Sequence, residues 1–122
     1  MRARLAPDLP IQRCGAAGWL ALALALPVLP VLAADQSAQL EIGKKLFMSG
    51  AVPACAVCHT LQAAGAEGAV GPVLDELKPD AARVAKALRD GLGQMPSYKG
   101  KLSDEQIDAI AAYVAQASGG AR

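Results

Sequence analysis

Aromatic residues are scarce in this chain: 122 residues hold one Phe, two Tyr and one Trp. Trp19 falls within an apolar leader, so the remainder has only Phe47, Tyr98 and Tyr113. A small domain buries a modest core and often needs a staple. One rich in Ala and Gly with three aromatics is short of filling, and a large planar apolar cofactor would supply the missing volume. Histidine is scarcer still, with His59 alone. Excess positive charge is also lacking. Beyond residue 34 there are nine Lys/Arg against ten Asp/Glu, a net charge of −1 with His59 neutral. That balance excludes nucleic-acid binding, which needs a clear basic surplus. The glycine-rich stretch Gly65-Ala-Glu-Gly68-Ala-Val-Gly71-Pro72 has no Lys-Ser/Thr after it and no strand before it, so it is a loop and not a phosphate cradle.

The first 34 residues read as a leader. Arg2, Arg4 and Arg13 precede a stretch from Gly15 to Ala34 with no charge at all. A basic start, an apolar centre and a small-residue end form a secretory signal peptide, with cleavage expected after Ala33 or Ala34. The expected division is a signal peptide over 1–34 and one domain over 35–122, in an exported, periplasmic protein. The rival is an uncleaved membrane anchor, since the run is long enough to span a bilayer. Pro27 and Pro30 weaken that rival by breaking a helix there, and no basic residue follows to stop transfer. No Arg-Arg pair is present, so export as an unfolded chain is expected. Cys14 lies in the leader and is discarded with it.

Three helices are expected in the remainder. Over 37–49, Leu40, Gly43, Leu46 and Phe47 recur at three and four on one face. Gly43 inside that pattern costs helix stability and implies close approach by another backbone. A second helix follows Pro79 as a first-turn residue, with Val84 and Leu88 as a narrow stripe and Gly91 as a left-handed stop. Arg83, Lys86 and Arg89 cover its surface, either as a solvated face or as a docking patch for an acidic partner. The third spans 103–118. Ser103 and Gln106 make a capping box, and Ile107, Ile110, Ala111, Val114 and Ala117 form the apolar stripe. No strand is expected.

Chemistry concentrates in Cys55-Ala56-Val57-Cys58-His59. This C-x-x-C-H spacing reads as a c-type haem attachment site. Two thiols three positions apart reach the two vinyl groups on neighbouring pyrrole rings, and the next residue turns its imidazole under the iron. A thioredoxin-like dithiol needs an α/β scaffold that the pattern does not offer. A structural zinc site takes four protein ligands, and beyond the leader only these two Cys and this His exist. An accidental disulfide is the remaining alternative.

A second axial ligand suits simple electron transfer, and His/Met ligation raises the potential. Met48 lies in the first helix only seven residues before Cys55. Met95 sits in Gly91-Leu-Gly93-Gln-Met95-Pro96, where Pro96 keeps it extended and the glycines allow close approach to a porphyrin. Met95 is therefore the expected ligand opposite His59, and core filling is the alternative. The second ring nitrogen of His59 needs an acceptor. The Pro72 carbonyl, thirteen residues on, is the candidate; otherwise Pro72 is an ordinary turn proline.

In this arrangement the chain resembles class I (monohaem) cytochromes c. Gly43, Phe47, Cys55-x-x-Cys58-His59, Gly71-Pro72-x-Leu74, Met95-Pro96 and Tyr113 fall in that family's order. The resemblance implies an all-α fold of helices wrapped around one haem c. It also implies first and last helices crossing at Gly43 and Phe47 against Tyr113, His59 and Met95 as axial ligands, and the Pro72 carbonyl as partner of His59. Many members place a Trp on a haem propionate; here Tyr98 or a backbone group would have to serve. The stretch from Cys55 to Asp80 is also similar to small bacterial cytochromes that accept electrons from sulfite dehydrogenases. The expected function is a single-electron carrier, not an enzyme, between a donor dehydrogenase and an acceptor oxidase or cytochrome, with no small-molecule substrate. Lys44, Lys45, Lys99 and Lys101 are candidate rim charges for docking. The alternatives are a haem subunit held in a larger complex and a sensor or peroxidase with an open iron site. The 63 residues after His59 argue against a five-coordinate helical bundle, whose motif lies near the C-terminus.

Overall fold

The computed structural model describes residues 29–120. Helix α1 spans Leu29–Lys45 and widens into a π turn over Leu46–Gly50. The turn closes with Ala51 N–H donating to the Leu46 carbonyl at 3.0 Å. The one-turn helix α2 (Cys55–Cys58) follows. Strands β1 (Thr60–Leu61) and β2 (Ala66–Glu67) pair antiparallel around a 3₁₀ turn, with Thr60 opposite Glu67 and Leu61 opposite Ala66. Short α3 (Leu74–Leu77), then α4 (Ala81–Asp90) and α5 (Asp104–Ser118) complete the order. Residues 1–28, most of the signal peptide expected over 1–34, lie outside the described residues.

Helix α5 is the hub. Its capping box is formed as expected: Gln106 N–H donates to Ser103 Oγ at 3.2 Å, and Ser103 N–H to Gln106 Oε1 at 2.9 Å. Gly119 ends it at φ 77°, ψ 21°, a left-handed stop. Ile107, Ile110, Ala111 and Val114 are buried, joined by Ala109, Tyr113 and Ala115, a broader buried face than the stripe alone. The most extensive helix contact is α1 on α5, followed by α4 on α5. At the α1–α5 crossing, an ideal Cβ on Gly43 would lie 2.1 Å from the Ala109 carbonyl oxygen. The backbones therefore touch where only hydrogen fits. One turn further, Phe47 meets Tyr113 edge to face, with ring centroids 6.0 Å apart at 61°, a favoured aromatic geometry.

Several local expectations need correction. Helix α1 already runs through Pro30 and Ala34 ahead of the expected 37–49, its described range being Leu29–Lys45. Ser37 donates its hydroxyl back to the Ala34 carbonyl at 2.9 Å. Pro79 is not in α4: Asp80 is the N-cap, accepting Arg83 N–H at 2.7 Å, and Pro79 is buried just before it. Gly91 does leave α4 at positive φ, but with φ 75°, ψ 168° it swings the chain outward and does not form a left-handed stop. The two-residue strands and four-residue α3 are too short to carry a periodic signal.

Candidate haem site

The site is assembled on α2 and the chain that loops back over it. Cys55 and Cys58 stand three apart on one helical turn, Cys55 buried and Cys58 half-buried, both as free thiols. Burial pushes the Cys55 thiol up to about 11, so it stays protonated at neutral pH. His59 leaves the turn extended at φ −112°, ψ 137°, its N–H still bonded to the Cys55 carbonyl at 2.9 Å. The Cys58 carbonyl then accepts two donors, Val70 N–H at 3.1 Å and Gly71 N–H at 2.7 Å. These bonds fold residues 68–72 over the histidine.

Two glycines make that fold-back possible. A Cβ on Gly71 would lie 2.5 Å from His59 Cε1, and one on Gly68 2.6 Å from the His59 backbone nitrogen. The imidazole is seated against bare backbone. His59 Nδ1 lies 2.9 Å from the Pro72 carbonyl oxygen. A carbonyl only accepts, so Nδ1 carries the proton and the Nε2 lone pair is left for a metal. The Pro72 carbonyl is thus the group that His59 Nδ1 faces. Thr60 adds a brace, its hydroxyl donating to the Gly68 carbonyl at 2.9 Å. In the sequence Gly68 and Gly71 looked like loop formers. The Gly-Pro pair thirteen residues after the histidine was the available sign of a tighter role.

Met95 occupies a separate element. Leu92 and Met95 exchange both backbone hydrogen bonds at 3.0 Å, a two-residue hairpin whose Gly93 takes φ 58°. Met95 is half-buried and packs on the hydrophobic cluster that also contains Cys55. Met48 stands exposed on the π turn. Tyr98 does not present its proton to a haem propionate: the hydroxyl donates to the Pro53 carbonyl at 2.6 Å. On α4, Lys86 pairs with Asp90 at 2.6 Å, and Arg89 reaches Asp104 at 3.1 Å and Asp108 at 2.9 Å. Two cations of the Arg83, Lys86, Arg89 trio are thus engaged within the fold, which favours the solvated-face reading.

The residues fit haem c. Two unpaired thiols stand at the attachment spacing, an imidazole is oriented by its Nδ1 contact to Pro72, and glycines clear the ground beside it. Among the described residues no cluster of three or more His, Cys, Asp or Glu offers a rival metal site.

A family model described as "Cytochrome C oxidase, cbb3-type, subunit III" matches residues 38–114. The chain belongs to this cytochrome c family. A cytochrome c6 from Picosynechococcus sp. is 35% identical over 118 residues, covering 77% of this chain and 90% of its own. Cytochrome c-551 from Halorhodospira halochloris is 32% identical over 73 residues, covering 59% of this chain and 92% of its own. Among solved structures, the c-type cytochrome SorU from Sinorhizobium meliloti is 48% identical, with a TM-score of 0.66 over 70% of this chain and 98% of that one. The chain is accordingly a mostly helical class I cytochrome c with covalently bound haem c, an electron carrier and not an enzyme. Cys55 and Cys58 supply the attachment spacing.

Proposed function

We propose that this cytochrome is a periplasmic single-electron carrier with His59 and Met95 as axial ligands, taking electrons from a dehydrogenase and passing them to an acceptor such as a cytochrome oxidase. The observation that carries the reading is the His59 Nδ1–Pro72 hydrogen bond beside the two thiols. That bond places the ring proton on Nδ1 and would leave Nε2 to bind the iron. Bound haem c supplies an iron that cycles between Fe(III) and Fe(II). The chain's own work is to hold geometry. Gly68, Gly71 and Pro72 back the imidazole, and the hairpin holds Met95 against the cluster that contains Cys55. The buried cluster of Phe47, Leu61, Leu88 and Ile110 keeps water from the interior. Fixed ligands and a dry surround limit rearrangement between the two oxidation states.

The proposed donor is a sulfite dehydrogenase. Support comes from the similarity of Cys55 to Asp80 to cytochromes that serve such enzymes. Exposed Lys99 and Lys101, on the chain just after Met95, would steer an acidic partner to this side, with Lys44 and Lys45 on α1 as further rim charges. Export rests on the leader. Cleavage after Ala33 or Ala34 would start α1 at its first acid, placing Asp35 in the first turn, where the helix dipole favours it. Among the described residues no helix is long and apolar enough to cross a membrane.

The test is optical and kinetic. Ferric holoprotein should show the weak long-wavelength band of a Met-ligated haem, and Met95→Ala should abolish it. A band that survives in Met95→Ala removes Met95 as ligand. Reduction by a purified sulfite dehydrogenase should be fast at low ionic strength and slow in Lys99→Glu/Lys101→Glu. Failure of the wild type to be reduced rejects that donor.

A further inference from the structure

We propose that Tyr98 is the positioning residue that fastens the Met95 hairpin to the haem-attachment segment, so that its hydroxyl governs how readily Met95 leaves the iron. The inference rests on Met95 being the axial ligand, as proposed above.

Tyr98 lies three residues after Met95, and Pro53 two before Cys55. The Tyr98 hydroxyl donates to the Pro53 carbonyl at 2.6 Å, spanning 45 residues of sequence. The side chain is 3% exposed, in the same cluster as Cys55 and Leu88. Its backbone is held as firmly: Tyr98 N–H donates to the Leu88 carbonyl at 2.8 Å, and its carbonyl accepts Lys101 and Leu102 N–H at 2.9 and 3.0 Å. Every polar group of Tyr98 therefore has a partner. The other ties of this stretch run elsewhere. Ser97 donates its hydroxyl to the Arg89 carbonyl, and the Leu92–Met95 bonds close the hairpin on itself. The Ser97 bond, with Tyr98 N–H on Leu88, fixes the hairpin to α4, while the Tyr98 hydroxyl bonds it to the chain leading into Cys55. These two segments would hold the haem between them, and this bond ties one to the other.

Exchange of Met95 for an external ligand requires the hairpin to draw back, which strains the Tyr98–Pro53 bond. Tyr98→Phe keeps the ring and its packing and deletes only the tie. Tyr113→Phe is the matched comparison, because the Tyr113 hydroxyl is buried without a hydrogen-bond partner among the described residues. Ferric holoproteins are titrated with imidazole at one neutral pH, and displacement of Met95 is read from loss of the long-wavelength band. Loss of one hydrogen bond should tighten apparent imidazole binding about fivefold in Tyr98→Phe, with Tyr113→Phe unchanged. Equal affinity in wild type and Tyr98→Phe overturns the proposal. An equal shift in both variants overturns it too, because general loosening then suffices. A wild-type protein without the band removes the Met95 assignment and the tie's function with it, whereas a normal band with an unmoved Tyr98→Phe affinity removes the tie alone.

Discussion

Replacing Gly43 by alanine sets two known effects against each other, and the structure decides the sign. In an exposed helix interior the change stabilises by about 1 kcal/mol, because alanine is the better helix former. Here the new methyl would sit 2.1 Å from the Ala109 carbonyl oxygen and 2.7 Å from both the Ala109 carbonyl carbon and Tyr113 Cβ. Non-bonded heavy atoms settle near about 3.5 Å, so α1 and α5 would have to part by roughly 1 Å, a gap that forfeits up to about half the attraction across it. Two of the three atoms met are backbone and cannot rotate away. Overpacking of this kind costs about 1–3 kcal/mol, sometimes more, and it falls on the most extensive helix contact in the fold. The net expectation is destabilisation of about 2 kcal/mol, read as a melting temperature lower by roughly 8 °C or more. Gly50→Ala is the control. Its methyl would meet the tip of Leu46 at 2.9 Å, a half-buried side chain that can move, with the next atom at 3.5 Å. It should change stability by no more than about 0.5 kcal/mol. Thermal and urea unfolding of both holoproteins, followed by circular dichroism, gives the answer. A Gly43→Ala protein as stable as the wild type would refute the close-approach argument.

Ser103→Ala should cost about 1 kcal/mol in urea unfolding, since it removes the hydroxyl that receives Gln106 N–H at the start of α5. Burial pushes Tyr98 up to about 12. The unfolded chain loses that proton near the usual tyrosine value while the folded chain retains it. Stability from this group is therefore complete below about pH 10 and is lost as pH rises from there through about 12. Unfolding midpoints measured across that window should fall less steeply in Tyr98→Phe than in wild type, and parallel curves would contradict the assignment. Cys55→Ser and Cys58→Ser should each greatly reduce the yield of haem-containing protein, measured by pigment retained after acid–acetone extraction. Normal yields from both would count against attachment at these residues.

What could be read in the sequence was whatever depends on neighbours a few positions away. The capping box of Ser103 and Gln106, the stripe along α5 and the glycine at the α1 crossing all follow from local spacing. So does the C-x-x-C-H turn, because its chemistry is set by three residues within five. The rest depends on partners distant in sequence. Asp104 and Asp108 reach Arg89 from another helix, so α4 showed three cations and no sign that Arg89 was engaged. The Lys86–Asp90 pair, at i and i+4, was legible in principle. Tyr98 carried the expectation of a haem propionate because a tryptophan was missing. Its true partner, a carbonyl 45 residues earlier, leaves no mark on composition or periodicity.

The two proposed axial ligands are held in unequal ways, and that inequality orders their loss. His59 is adjacent to an attachment cysteine, is backed by Gly68 and Gly71 at distances too short for any side chain, and gives its spare proton to Pro72. Displacing it means unpicking the Val70 and Gly71 bonds to the Cys58 carbonyl as well. Met95 has no covalent neighbour to the haem. Its position rests on a two-residue hairpin, which is marginal alone, on the tie from Ser97 to α4, and on the Tyr98 hydroxyl. Heat, alkali or a competing ligand should therefore open the Met95 face while the His59 face remains closed. The first departure from the native state would then be withdrawal of the Met95 hairpin, on a protein whose α1–α5 crossing is still intact.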